Sequence, residues 1–82
     1  MSMINVTEGR YLHDYVLWLR FSDGAEGEVD LAHELTGKIF APLRDQKVFA
    51  RVSVHSELRT ITWPNGADFA PEFLHSLTQV AA

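Results

Sequence analysis

The sequence predicts an α+β domain, a small antiparallel sheet of about five strands with a C-terminal helix packed on it, in the order β-β-β-α-β-β-α. Three observations predict it. Two pairs of strand-forming runs, within residues 15–31 and 51–63, are each interrupted by polar turn residues. Pro71 opens a segment carrying Phe73, Leu74, Leu77 and Val80 at helical spacing. The 82 residues contain no repeat, low-complexity stretch or linker, so a single domain is expected to cover 1–82.

The first hairpin is fixed by parity. Residues 15–21 and 25–31 flank Ser22-Asp23-Gly24. A two-residue loop at Asp23-Gly24 would set Leu19 against Glu28 and Phe21 against Glu26. A three-residue loop instead pairs Phe21 with Ala25, Leu19 with Gly27, Leu17 with Val29 and Tyr15 with Leu31. The opposite face then pairs Arg20 with Glu26 and Trp18 with Glu28. Because a one-residue slip exchanges the faces, the three-residue loop is chosen, a type I turn with Gly24 left-handed. Upstream, residues 3–8 read as a further short strand, with Gly9-Arg10 beginning the link to the hairpin.

Downstream, residues 31–37 suggest a helical turn stopped by Gly37. Residues 40–50 read as a short helical segment in which Pro42 suits a first turn and Asp45 can cap a second turn carrying Val48 and Phe49 inward. A second hairpin turns at Ser56-Glu57, between alternating residues 51–55 and 59–63.

Composition excludes several classes. A chain this short buries roughly 60–65% of its unfolded surface, so modest stability is expected. The absence of cysteine removes disulfides and thiolate chemistry. A net charge of −4, with Lys+Arg 7 against Asp+Glu 11, argues against direct nucleic-acid binding. No apolar run approaches the roughly 20 residues of a membrane span, and the N-terminus lacks the marks of a signal peptide. A cytoplasmic protein with no membrane contact is expected.

No catalytic constellation emerges, so the chain is expected not to be an enzyme. His13, His33, His55 and His75 share no ligand spacing and fall in different elements, which predicts no metal. Glu26, Glu28 and Asp30 lie on one strand face beside Arg20, a solvated and acidic hairpin surface. The serines sit in no nucleophile elbow, no glycine-rich phosphate loop is present, and no cofactor is expected.

Two places remain as candidate partner-binding sites. The stretch Trp63-Pro64-Asn65-Gly66-Ala67-Asp68 packs an aromatic, a proline, a turn dipeptide and an acid into one connection. Trp63, Asn65 and Asp68 could form a recognition patch. Ordinary turn chemistry accounts for them better: Trp63 plugs the core, Pro64 ends the ladder, Asn65-Gly66 turns the chain, and Asp68 accepts amides near the next helix. The second place is Trp18, set by the register beside Arg20, Glu26 and Glu28. It is either an exposed interface anchor or buried beneath the C-terminal helix, and the pattern leaves both readings open.

Several separated pieces together resemble one family. These are Phe21-Ser22-Asp23-Gly24, Asp30-Leu31, Phe40-Ala41-Pro42-Leu43-Arg44-Asp45, Phe49-Ala50-Arg51-Val52, Thr60 through Asp68, and Pro71-Glu72-Phe73-Leu74. In order and spacing they are similar to the domain of unknown function family 2442, over about Tyr15 to Leu77. Gln46 departs from the proline expected after Asp45. The resemblance implies a small prokaryotic α+β domain without established activity, in some members followed by a helix-turn-helix, and found beside another small protein in a toxin–antitoxin-like arrangement. Since the sequence ends at Ala82, no DNA-reading appendage is expected. The expected function is a non-enzymatic protein-interaction domain, the antitoxin-like member of a two-gene system, with a protein partner from an adjacent gene. A homodimer through strand 25–31 or strand 3–8 is the other expected association, and a small-molecule-binding module near Trp63, Asn65 and Asp68 is the alternative function.

Overall fold

The computed structural model describes residues 4–80. Three strands open the chain: β1 (Val6–His13), β2 (Val16–Phe21) and β3 (Glu26–Asp30). Two 3-10 turns follow, Ala32–Glu34 and Ala41–Arg44, then the single-turn helix α1 (Gln46–Phe49). The hairpin β4 (Ser53–His55) and β5 (Thr60–Thr62) precedes helix α2 (Pro71–Leu77), and a two-residue strand β6 (Gln79–Val80) ends the described chain. The α+β class holds. The strands form a four-stranded antiparallel sheet ordered β1-β2-β3-β6 and a separate two-stranded β4-β5 sheet.

The predicted register of the first hairpin is the one observed. Leu17 faces Val29, Leu19 faces Gly27, Trp18 faces Glu28, and Arg20 faces Glu26. Alternation then sends Leu17, Leu19, Phe21 and Val29 into the core and leaves Arg20, Glu26, Glu28 and Asp30 exposed. Leu31, Leu35, Leu43, Phe49, Ile61, Trp63, Phe69 and Leu74 close the core from the other side. Each such side chain contributes about 1.5–3 kcal/mol relative to an exposed one. The buried Thr60 hydroxyl donates to the Phe69 carbonyl at 2.6 Å, so burial leaves it satisfied.

Three boundaries differ from the sequence reading. β1 does not stop at residue 8; it runs on to His13, and Gly9 and Arg10 lie inside it, paired with Leu19 and Trp18. Gly9 reads as a breaker but marks a close approach. A Cβ there would sit 3.3 Å from both Ile61 Cγ2 and Leu19 Cδ2, where the second hairpin crosses over β1. The second hairpin turns through four residues, 56–59, closed by the Arg59 N–H donating to the His55 carbonyl at 2.7 Å. Finally, α2 ends at Leu77. The Thr78 hydroxyl donates to the Leu74 carbonyl, and Val80 lies in β6 against Gly27 instead of on the helix.

One connection occurs twice. In Phe21-Ser22-Asp23-Gly24-Ala25, the Gly24 N–H donates to the Phe21 carbonyl (3.0 Å) and the Phe21 N–H to the Ala25 carbonyl (2.8 Å). In Trp63-Pro64-Asn65-Gly66-Ala67, the Gly66 N–H donates to the Trp63 carbonyl (2.9 Å) and the Trp63 N–H to the Ala67 carbonyl (3.0 Å). The Asx side chain accepts from the alanine N–H in both, at 3.0 and 3.1 Å. Both glycines are left-handed, with φ of 89° and 88°. Both loops are the three-residue hairpin turn with a glycine bulge, and both start from a buried aromatic. A Cβ at either glycine meets nothing within 4 Å, so its cost is conformational alone. Gly24→Ala and Gly66→Ala are therefore expected to destabilise by similar amounts, about 1–2 kcal/mol each. Urea denaturation checks this, and a neutral effect at either position would contradict the shared geometry.

Helix α2 is tied back to the first of these loops. His75 Nε2 lies 3.0 Å from Asp23 Oδ2, and the His75 ring meets Phe21 edge-on at 4.9 Å. The Ala25 N–H holds the Asp23 carboxyl below the ordinary carboxylate range; His75 adds to this, against the desolvation that raises it. A carboxylate depressed in the folded state stabilises above its unfolded pKa of about 3.9, and that contribution disappears as pH falls through the lower folded value. The urea midpoint of the wild type should exceed that of Asp23→Asn near neutral pH. The gap should close below about pH 4. A gap that is constant with pH would rule out the carboxylate as its source.

Candidate functional site

The four-stranded sheet has one covered face and one open face. Among the described residues no element packs over the outer face of β1, β2 and β3. Its side chains form rows across the three strands, because antiparallel pairing sets partners directly opposite one another. One row is Glu8–Arg20–Glu26, the next Arg10–Trp18–Glu28, and the third His13–Val16–Asp30.

Trp18 sits at the centre. Its ring is half-buried, and what covers it is charge: the Arg10 guanidinium carbon stands 5.7 Å from the ring centroid and that of Arg20 stands 5.3 Å away. Cation–π contacts of this kind contribute about 0.5–1 kcal/mol at exposed sites. Arg20 also bridges both neighbouring strands, with Nε 3.0 Å from Glu26 and Nη1 3.1 Å from Glu8. All three are substantially exposed, so the bridges orient the guanidinium more than they stabilise the fold. Arg10 and Glu28 have no ion-pair partner among the described residues. Of the two readings of Trp18, burial under the C-terminal helix does not occur: α2 packs through Leu74 and His75 on the core side.

The structure divides the seven candidate residues in two. Trp18, Arg20, Glu26 and Glu28 come together on the outer face, joined by Arg10, which the sequence reading missed because it placed residue 10 in a link. Trp63 lies on the opposite side of the sheet, 3% exposed, with Nε1 donating to the Phe49 carbonyl at 2.9 Å and its ring against Phe49 and Phe69. Asn65 is exposed but occupied: Nδ2 donates to the Ile39 carbonyl at 2.9 Å while Oδ1 holds the turn. Asp68 is exposed and pairs through its backbone with Thr62. It does not cap α2, which begins after Ala70 without a side-chain cap. The hexapeptide is thus a structural clasp joining β5, the segment before the second 3-10 turn, and the run into α2.

Three of the four histidines serve local roles. His55 Nδ1 takes the N–H groups of Glu57 and Leu58, each at 3.2 Å, inside the second hairpin loop. His13 lies 3.1 Å from Asp14, and His75 makes the tie to Asp23. Among the described residues no three His, Asp or Glu side chains gather as a metal centre would require. Also among the described residues, no helix is long and apolar enough to cross a membrane.

Fold and surface together define a class: a small α+β domain with a packed core on one side of its sheet and a charged, aromatic-centred open face on the other. Residues 6–76 match the model of a protein of unknown function, DUF2442, and the chain belongs to that family. No curated protein matches the chain significantly. A solved structure, called putative DNA binding protein NE0471, from Nitrosomonas europaea, is similar with a TM-score of 0.80 and 24% sequence identity. The likeness covers 95% of this chain and 52% of that one, so this chain spans about half the length of its structural neighbour.

That neighbour corrects one expectation. Net charge had argued against direct nucleic-acid binding, yet a protein of the same fold carries a DNA-binding name. Net charge is an average, and here it hides segregation. Residues 38–59 hold five of the seven basic residues, Lys38, Arg44, Lys47, Arg51 and Arg59, against the two acids Asp45 and Glu57. The exclusion of nucleic acid is withdrawn.

The two tryptophans give a direct test of the site's division. Trp63→Phe leaves the Phe49 carbonyl without its donor and should cost about 1–3 kcal/mol. Trp18→Ala removes a ring from an open face and should cost less than about 1 kcal/mol. Chemical denaturation of the two variants checks this, and a larger loss at Trp18 than at Trp63 would reverse the assignment.

Proposed function

We propose that this domain is a non-enzymatic protein-interaction module of the cytoplasm that docks its partner on the outer sheet face, with Trp18 as the anchor. The observation that carries this is a single one: a half-buried tryptophan, with the guanidinium groups of Arg10 and Arg20 over its ring, at the centre of a face that no described element covers. Tryptophan and arginine are the residues most enriched among those that dominate binding energy. Acids on the two flanking strands, Glu8 on β1 and Glu26, Glu28 and Asp30 on β3, give such a face specificity and steering. An enzymatic reading is disfavoured on this surface, where Arg20 is engaged by Glu8 and Glu26 across the strands. A ligand site at Trp63, Asn65 and Asp68 is also disfavoured, because the ring is in the core and the amide is engaged in the turn.

The proposal includes an antitoxin-like role in a two-gene system, and co-expression with the product of the neighbouring gene tests it. Co-elution in size-exclusion chromatography that is lost in Trp18→Ala supports the reading. Separate elution, or co-elution indifferent to Trp18, counts against it.

A second reading rests on the name of the structural neighbour and the charge segregation. The basic stretch Lys38–Arg59, with a net +3, is where nucleic acid would be met. The acids on the outer face make that surface unsuited to phosphates. Fluorescence anisotropy with a labelled duplex at low salt is the check. Binding that falls with salt and disappears in Lys47→Glu/Arg51→Glu would favour this reading over the first.

A further inference from the structure

The part of the central row that lies on β1, β2 and β3 is charged at both ends with opposite signs, and its middle is aromatic: Arg10, Trp18, Glu28, the last pairing onward with Gln79 of β6. Neither end is neutralised by an ion pair within the chain among the described residues, whereas Arg20 in the next row is bridged on both sides. Adjacent strands lie about 4.8 Å apart, so the two free charges stand roughly 10 Å apart with the indole between them. This arrangement is its own complement. A two-fold axis running along β2, in the plane between two such faces, lays β1 of one copy over β3 of the other. Arg10 then meets Glu28 of the second copy twice over, and Trp18 meets Trp18 on the axis. The same rotation carries His13 over Asp30 and Val16 over Val16 in the third row. Only the row Glu8–Arg20–Glu26 brings like charges together, and there each arginine is already held between two carboxylates. A two-fold axis turned by 90° would instead oppose Arg10 to Arg10 and Glu28 to Glu28. Charge therefore selects one orientation.

From this we infer that the occupant of the outer face is a second copy of this chain, docked face to face with the strands aligned. The inference rests on the proposed reading of the face as a docking surface and adds the identity of the partner. The contact is small. Three strands by about five residues come to roughly 10 by 17 Å of sheet, well below the ~800 Å² per partner of a standard stable interface. The dimer is accordingly a reversible one, to be read at concentrations on the order of tens to hundreds of micromolar rather than as a permanent assembly.

Sedimentation velocity over that concentration range tests it through a charge exchange. The wild type should show a sedimentation coefficient that rises with concentration. Arg10→Glu alone should stay monomeric, since two glutamates would face Glu28, and Glu28→Arg alone should stay monomeric for the mirrored reason. An equimolar mixture of Arg10→Glu and Glu28→Arg should associate again, because both cross-chain pairs are then attractive, one with its native sign and the other inverted. Circular dichroism on each variant confirms that the fold is retained. A wild type that remains monomeric throughout overturns the inference, and so does a dimer that ignores both single changes. Either result leaves the co-elution experiment with Trp18→Ala to decide the docking surface itself, so the two readings fail separately.

Discussion

The central hairpin of the outer face depends on the parity set by one left-handed glycine. Gly24, at a φ of 89°, closes the three-residue loop between β2 and β3 and so fixes which residue of β3 lies opposite each residue of β2. A slip of one residue would bring Trp18 and Arg20 into the core and expel Leu17, Leu19 and Phe21. No other contact has that reach. The four core side chains of the hairpin and the placing of Trp18 opposite Glu28 follow from a single backbone torsion that glycine adopts without penalty. The loop is then reinforced twice: by the Asp23 carboxylate on the Ala25 N–H, and by His75 reaching back from α2. The second copy of the same turn, at Trp63–Ala67, does the equivalent work on the other side of the core. There it places an aromatic at its first position and clamps the chain to the Ile39 carbonyl.

Much of this was legible in the sequence, and the reason is locality. The first hairpin carries its register in seven residues on each side of a turn, and opposing hydrophobic and charged patterns allow one loop length. Pro42, Asp45 and Pro71 mark helical starts by chemistry that acts within one turn, and each stands where that chemistry puts it. What sequence left hidden is long-range. β1 has no clean alternation, and its internal glycine is demanded by Ile61, more than fifty residues away. Arg10 therefore looked like part of a link, and the one basic residue that completes the Trp18 row went unassigned. The tie between His75 and Asp23 spans 52 residues and leaves no spacing signal at all.

The hexapeptide and Trp18 exchange the roles that their composition suggests. A stretch dense in special residues invites a functional reading, yet both polar side chains in Trp63–Ala67 are spent on the turn or on the backbone it clasps. Trp18, in an unremarkable strand, keeps its ring on an open surface. The difference lies in what satisfies each indole. Trp63 donates to a backbone carbonyl in the core, where an unpaired donor would be costly, so its position is specified by the fold. Trp18 is held only by cations that solvate its face, so its position is specified by strand pairing and its surroundings remain free to exchange one cover for another.

Charge follows the same division. The acids concentrate on the first hairpin and the bases between Lys38 and Arg59, so a single net value describes neither surface. The four-stranded sheet stands between the outer face and the core, and the second 3-10 turn and α1, which carry Arg44 and Lys47, pack on that core through Leu43 and Phe49. Substitutions on the outer face consequently act on interaction with little consequence for packing, while those at Trp63, Gly66 or Gly24 act on packing first. That separation makes the outer face a surface whose chemistry can change without loss of the fold, which is what a recognition surface requires and a core cannot tolerate.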